Sequence, residues 1–294
     1  MALSEVQPEL GFESIVLATD FSANSKVAGE YAGRLAHHYG ADLVVAHAYV
    51  ATSAAMSVEA EGRLSVQRGS LEHELTTLAH KLAPQGTRVR TVLREGTPEE
   101  LALELATSQS SPLLVLGTQG RGRIEHHVLG SSAEAILRAV ACPVLTVGPQ
   151  VKHSVGSGLD FHNILYATDF SREAMHAAEY AVTLAQSHGS NLHVLHAVPA
   201  EVIKHPERLK EMQKKLFHDL DQIVPESARQ FCTARSFVAV GEARQQILEH
   251  VREHHIGLIV LGVHRSTQFE MRFQMRLTYR LITESPCPVL TIRG

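Results

Sequence analysis

Tryptophan is absent from this 294-residue chain, aromatic residues make up only 5% of it, and cysteine occurs three times. Cys142, Cys232 and Cys287 show no CxxC spacing, which excludes a disulfide framework and a zinc knuckle and fits a reducing compartment. No apolar run reaches the length of a membrane span. Met1 to Ser14 offer neither a basic start nor an apolar stretch long enough for a secretory signal, so a cytoplasmic protein without membrane contact is expected. An excess of positive charge is missing as well: the net charge of -4 leaves no basic footprint for nucleic acid. What remains is an ordinary globular composition, 44% hydrophobic and 20% charged, in a chain about twice the usual domain size.

The chain repeats itself, and the repeat decides the architecture. Ser14-Ile15-Val16-Leu17-Ala18-Thr19-Asp20-Phe21-Ser22 returns as Asn163-Ile164-Leu165-Tyr166-Ala167-Thr168-Asp169-Phe170-Ser171, an offset of 149 that also aligns Gly40 with Gly189 and His47 with His196. Gly96 with Gly241, Gly117 with Gly262 and Cys142-Pro143 with Cys287-Pro288 align at 145. Within each unit short apolar runs alternate with amphipathic stretches, the pattern of parallel strands joined by crossover helices. Five strands are predicted in the first unit: Ser14 to Ala18, Asp42 to Ala48, Arg88 to Leu93, Leu113 to Leu116 and Val144 to Val147. After the first, Val27, Ala28, Tyr31, Ala32, Leu35 and Tyr39 recur at helical spacing up to Gly40, which suits a left-handed cap. Ala177, Ala178, Ala181, Leu184, Ala185 and Gly189 repeat the design. Strands such as Leu113-Leu114-Val115-Leu116 are apolar nearly throughout, as when helices cover both faces of a sheet. The expected fold is α/β: two tandem doubly wound domains, each with a five-stranded parallel sheet flanked by helices. Their bounds are placed at 1–149 and 161–294, with a linker at 150–160 around Gly156-Ser157-Gly158.

The stretch after the fourth strand carries the chemistry. Gly117-Thr118-Gln119-Gly120-Arg121-Gly122-Arg123 precedes Gly130-Ser131-Ser132, where a further helix should open. Phosphate oxygens need several backbone N–H donors at close range, and glycine lets the main chain approach. Ser131 and Ser132 add hydroxyls, and a helix start adds unpaired amides and the positive end of its dipole. Ser131 with Glu134 reads as a capping box. Neither familiar phosphate motif fits. Arg123 and Ile124 stand where a Walker A loop needs Lys and Ser or Thr, and no GxGxxG follows the first strand of either copy.

Gly117-x2-Gly120-x9-Gly130-Ser131 resembles, position for position, the G-2x-G-9x-G-S/T signature of the ATP-binding branch of the universal stress protein family. The Ala-Thr-Asp-Phe-Ser segment, the His ending the second strand and the Cys-Pro-Val-Leu-Thr-Val strand extend the resemblance over nearly the whole chain, twice. The resemblance implies that Asp20 and Ala48 hold the nucleoside, that Gly117, Gly120, Gly130, Ser131 and Ser132 surround the phosphates of ATP bound with Mg²⁺, and that Ala18, Thr19, Leu116 and Arg121 belong to the same cofactor site. It further implies pairing of the two copies through Val144 to Val147 and Val289 to Ile292, assembly into a dimer of tandem chains, an unknown protein partner, and a regulator in which hydrolysis is slow and incidental. The second copy breaks the signature. Gly262, Arg265, Met275, Arg276 and Leu277 occupy the matching places, so ATP is expected in the first domain and not the second. Arg265, Arg272 and Arg276 either hold an anion or form a solvated face or interface. The rival reading is a nucleotide-independent scaffold or small-ligand carrier using the second cleft. An adenylate-forming enzyme is disfavoured, because Thr19-Asp20-Phe21-Ser22 stands where a Ser-Gly-Gly-type loop belongs.

No catalytic triad is readable, and no second carboxylate or nucleophile stands at a defined spacing from Asp20. Nineteen histidines include the adjacent pairs His37-His38, His126-His127 and His254-His255, but neighbouring side chains rarely face one site and no HExxH occurs, so no metal site is assigned. His47 and His196 read as hydrogen-bonded structural groups, and Cys142 and Cys287 as packing residues.

Overall fold

The computed structural model describes residues 11–50, 58–118, 129–152, 159–200, 206–263 and 268–294, with the helical backbone alone for 58–64, 206–209 and 268–275. In the N-terminal lobe the elements run β1 (Ser14–Ala18), α1 (Ala23–Tyr39), β2 (Asp42–Tyr49), α2 (Val58–Leu82), β3 (Val89–Glu95), α3 (Pro98–Ser108), β4 (Pro112–Gly117), α4 (Ser131–Ala139) and β5 (Val144–Val147). The C-terminal lobe repeats them as β6 (Asn163–Ala167), α5 (Arg172–His188), β7 (Asn191–Val198), α6 (Pro206–Asp221), β8 (Thr233–Val240), α7 (Ala243–Glu253), β9 (Leu258–Val263), α8 (Gln268–Glu284) and β10 (Val289–Arg293).

Local chemistry sets these boundaries twice over. Ser22 caps α1 by accepting from the Ser25 amide and Ser171 caps α5 by accepting from Ala174, while Gly40 (φ 62°) and Gly189 (φ 60°) end the two helices in the left-handed region open to glycine. β2 and β3 outrun the predicted strands, because their parallel pairing continues as far as Tyr49 and Glu95. Along β1, Ile15 and Leu17 join the apolar layer under α1, and Val16 joins the opposite layer under α3 and α4. Both sheet faces are therefore covered, which is why the strands tolerate so few polar residues.

The strands form a single ten-stranded sheet in the order β3-β2-β1-β4-β5-β10-β9-β6-β7-β8. Each lobe is parallel and doubly wound, and the lobes join where β5 and β10 pair antiparallel, Leu145 opposite Leu290. The pairing of last strands expected from the sequence is thus present. It has a local two-fold: the Thr146 hydroxyl donates to the Val289 carbonyl (2.9 Å), and Thr291, its counterpart, donates to the Val144 carbonyl (3.2 Å). The ends of α1 and α5 meet on the same axis, where Tyr39 Oη lies 3.1 Å from His188 Nε2 and the His38 and His188 rings stack at 4.1 Å.

Candidate functional site

In each lobe the strand order reverses between the first and fourth strands, and open parallel sheets hold ligands in the crevice left at that point. The N-terminal crevice is a cleft of about 280 Å³. Ala18, Thr19, Asp20, Ala48, Leu116, Gly117, Gly130, Ser131 and Ser132 all line it, so nine of the sequence-derived positions converge. Gly120 and Arg121 lie outside the described residues, as do Gly122 and Arg123, His126-His127, Arg265 and the glycines of the linker.

The turn after β1 is built by its own side chains. Phe21 sits at φ 63°, a strained value for a bulky residue. Three bonds hold it there: Phe21 N–H donates to Thr19 Oγ1 (3.0 Å), Ser22 N–H to Asp20 Oδ1 (3.0 Å) and Ser25 N–H to Ser22 Oγ (3.2 Å). His47 Nδ1 lies 2.7 Å from the Thr19 carbonyl, which can only accept, so that nitrogen carries the proton; the ring also packs on Phe21 at 4.5 Å. The structural role read for His47 is observed. Thr19 has its amide bonded to the Ala46 carbonyl and its hydroxyl to Ser25, so it shapes the cleft rather than offering a free group. Asp20 is the acidic group on the lining.

On the opposite wall α4 points its N-terminus into the cleft. Here the structure corrects a sequence expectation: Gly130, not Ser131, is the N-cap, no side chain caps the helix, and Glu134 pairs instead with Arg138 at 2.7 Å. The first helical bond runs from the Glu134 amide to the Gly130 carbonyl (2.9 Å), which leaves the amides of Ser131, Ser132 and Ala133 without a partner inside the helix. Both serines are exposed at this end. Gly117 also gains a different meaning. A Cβ there would stand 2.8 Å from the backbone nitrogen of Ser25, so glycine is required by the approach of α1. The next amide, Thr118 N–H, donates to Asn24 Oδ1 (2.6 Å), and Asn24 Nδ2 donates to the Gly148 carbonyl (3.1 Å). Asn24 was not singled out in the sequence, and an unremarkable Asn behind a serine cap gives no signal for this clamp.

The C-terminal lobe keeps the turn and loses the cleft. Phe170 sits at φ 61°, with Thr168, Asp169, Ser171 and His196 making the same set of contacts. The matching crevice measures about 110 Å³. Larger side chains fill it: Leu165, Leu195, Ile247 and Leu277 line or back the space held elsewhere by Val16, Ala46, Ala102 and Ser132. The helix start is gone too. Arg276 corresponds to Ser131, but α8 begins upstream at Gln268, so the amides of Arg276 and Leu277 fall inside the helix and donate to carbonyls four residues back. Gly262 persists for the reason Gly117 does, since a Cβ on it would strike the Glu173 backbone.

A family model described as "Universal stress protein family" matches residues 11–148 and again 160–293. The chain belongs to the universal stress protein family. A universal stress protein of Methanocaldococcus jannaschii is 30% identical over 140 residues, 46% of this chain and 82% of that protein. One from Thermus aquaticus is 32% identical over 137 residues, 46% of this chain and 98% of the relative, so such relatives correspond to one lobe. The crystal structure of a universal stress protein from Archaeoglobus fulgidus matches both lobes together, covering 96% of this chain and 98% of that one at 18% identity with a TM-score of 0.71.

Within this universal stress protein the thiols are not poised for reaction. Burial pushes Cys142 up to about 11 and Cys287 up to about 12, well above the range in which a thiolate forms. Among the described residues no helix is long and apolar enough to cross a membrane.

Proposed function

We propose that this universal stress protein is a nucleotide-dependent regulator that binds ATP in the N-terminal cleft and not in the C-terminal one. The observation that carries the reading is the contrast between a cleft of about 280 Å³ with an open helix N-terminus and one of about 110 Å³ whose helix runs through. The first lies near the lower end of the ~300–1,000 Å³ range of small-molecule sites. Its inner lining of Val16, Ala46, Leu105, Leu114 and Ile136 suits a flat apolar base, and the amides of Ser131 to Ala133 with two serine hydroxyls suit phosphate. Asp20 is placed for the nucleoside, as is the backbone at Ala48. Gly120 is assigned to the phosphates on the signature alone, and Arg121, next to it in sequence, to the same site. The described lining offers one carboxylate, so Mg²⁺ would ride mainly on the phosphates rather than in a protein cage. Occupancy would alter contacts with a protein partner or a second tandem chain in the cytoplasm.

The alternative, a small-ligand carrier using the C-terminal cleft, is disfavoured by that cleft's size. Calorimetric titration of the full chain with ATP and Mg²⁺ tests the reading. One ATP per chain is expected. The variant Ala46→Leu/Ala102→Ile, which installs the C-terminal lobe's residues, should weaken binding by roughly 100-fold, the scale of ~1–3 kcal/mol overpacking at a filled site, while its thermal unfolding stays near wild type. Undiminished binding in a folded variant would remove ATP from this cleft.

A further inference from the structure

Three histidines distant in sequence meet in the C-terminal lobe on the α7 side of the sheet. His193 on β7, and His250 and His254 at the end of α7, each bring a ring nitrogen to within 4.8 Å of the others. His193 Nδ1 lies 2.8 Å from His250 Nε2. His250 and His254 are one helical turn apart with ring centroids at 4.2 Å, the spacing that places two imidazoles on one helix face. Phe237 of β8 backs the group, parallel to His193 at 5.1 Å and crossing His250 at 4.5 Å.

The internal repeat supplies a control. At the same places the N-terminal lobe has Val44 and Leu105, both in its apolar core, and Gln109, whose amide oxygen accepts from Arg90 at 2.7 Å. All three positions differ in the same direction, toward imidazole, and two of the rings are buried. Burying a polar ring where a sister fold keeps an aliphatic one costs stability unless a partner compensates. A single bond between two rings is modest compensation.

We propose that His193, His250 and His254 form a binding site for a divalent transition metal ion, with Zn²⁺ as the ion best matched to three imidazoles. Such a set fills three of four tetrahedral positions and leaves the fourth for water or an exogenous ligand. His254 lines an open cleft of about 600 Å³, which gives the ion a way in. Two nitrogens ~2.05 Å from a tetrahedral ion stand about 3.3 Å apart, against 2.8 Å for His193 and His250 and no more than 4.8 Å for the other pairs, so the rings turn toward a shared point without the backbone having to travel far. Binding forms three nitrogen-to-metal bonds and changes no oxidation state. The proton lying between His193 and His250 shifts to the other nitrogen of its ring, so three neutral imidazoles bind and none is lost. Arg235, exposed on β8, is a cation along the same cleft, which His218 and Asp221 also line. A bound ion would clamp α7 onto β7.

The test uses the full chain stripped with EDTA and titrated with Zn²⁺ by calorimetry and with Co²⁺ by visible absorption. One ion per chain is expected, with a tetrahedral Co²⁺ spectrum and a Zn²⁺-dependent rise in Tm. His254→Gln, at a half-buried helix end where the fold should survive, and His250→Gln should each weaken binding by more than about 100-fold, since loss of even an outer-shell partner costs 10–100-fold. His37→Gln/His38→Gln should bind as wild type. No stoichiometric ion, an octahedral Co²⁺ spectrum, or affinity unchanged in folded His254→Gln overturns the proposal.

Discussion

The two clefts share their turn and differ in their walls. In both lobes a phenylalanine is held at positive φ by the same Thr, Asp and Ser contacts, under the same histidine. That strain, about 1–3 kcal/mol per residue, occurs with and without a roomy cleft, so it belongs to the fold and not to ligand binding. The first glycine of the signature behaves likewise, since Gly117 and Gly262 are both dictated by the adjacent helix. What separates the two clefts is chiefly side-chain size, as at Ala46 against Leu195, and the point at which one helix begins. Residues held in common are therefore poor markers of the site, and residues that differ are good ones.

The contrast can be broken hardest from the filled side. Leu195→Ala with Ile247→Ala empties the C-terminal crevice, and each truncation should cost roughly 2–5 kcal/mol, read as a lower urea midpoint. Because the amides of Arg276 and Leu277 beside that crevice stay bonded inside α8, ATP binding should not appear there; its appearance would show that cavity size alone separates the lobes. A smaller effect concerns acid. Burial, reinforced by the neighbouring His38, lowers His188 to about 4. The unfolded ring titrates near ~6.5, so between those values the unfolded chain binds the extra proton, and stability present above about pH 6.5 is lost as pH falls toward 4. His38, Tyr39 and Phe161 touch the His188 ring, and Glu30, Arg34, His37 and Lys81 line the same cleft. His188→Tyr, the residue of the other lobe, should make the acid limb of a Tm-against-pH curve shallower without abolishing it, since burial lowers His193 and His250 to about 4 as well, and an unchanged limb would place the acid sensitivity elsewhere. The smallest effect tests the axis between the lobes. Thr146→Val and Thr291→Val each remove one buried hydroxyl bond worth about 1 kcal/mol, and chemical denaturation should find equal losses. Unequal ones would mean the junction is less symmetric than its hydrogen bonds.

Much of this was legible in the sequence. The offset repeat and the runs around Leu113 to Leu116 carried the sheet, and the cleft lining came from the family resemblance, which assigned Asp20, Ala48 and Gly130 to the nucleotide. The capping box at Ser131 misled, because a serine and a glutamate three apart mark a helix start only to within a residue and Gly130 already holds the cap. Ala46 against Leu195 and Ala102 against Ile247 went unread, since periodicity records that a position is apolar and not how much room it leaves. Glycine types were similarly silent on whether a ligand or a helix comes close at Gly117. The histidine trio was hidden because its members lie on two elements; the i, i+4 spacing of His250 and His254 was the one available hint.

The antiparallel seam between β5 and β10 has a consequence for how the molecule responds to dilution. Two separate chains joined along such an edge would come apart at low concentration, whereas here the partners are tethered and their encounter does not depend on how much protein is present. The halves can then diverge residue by residue while always being made, and always meeting, in a one-to-one ratio.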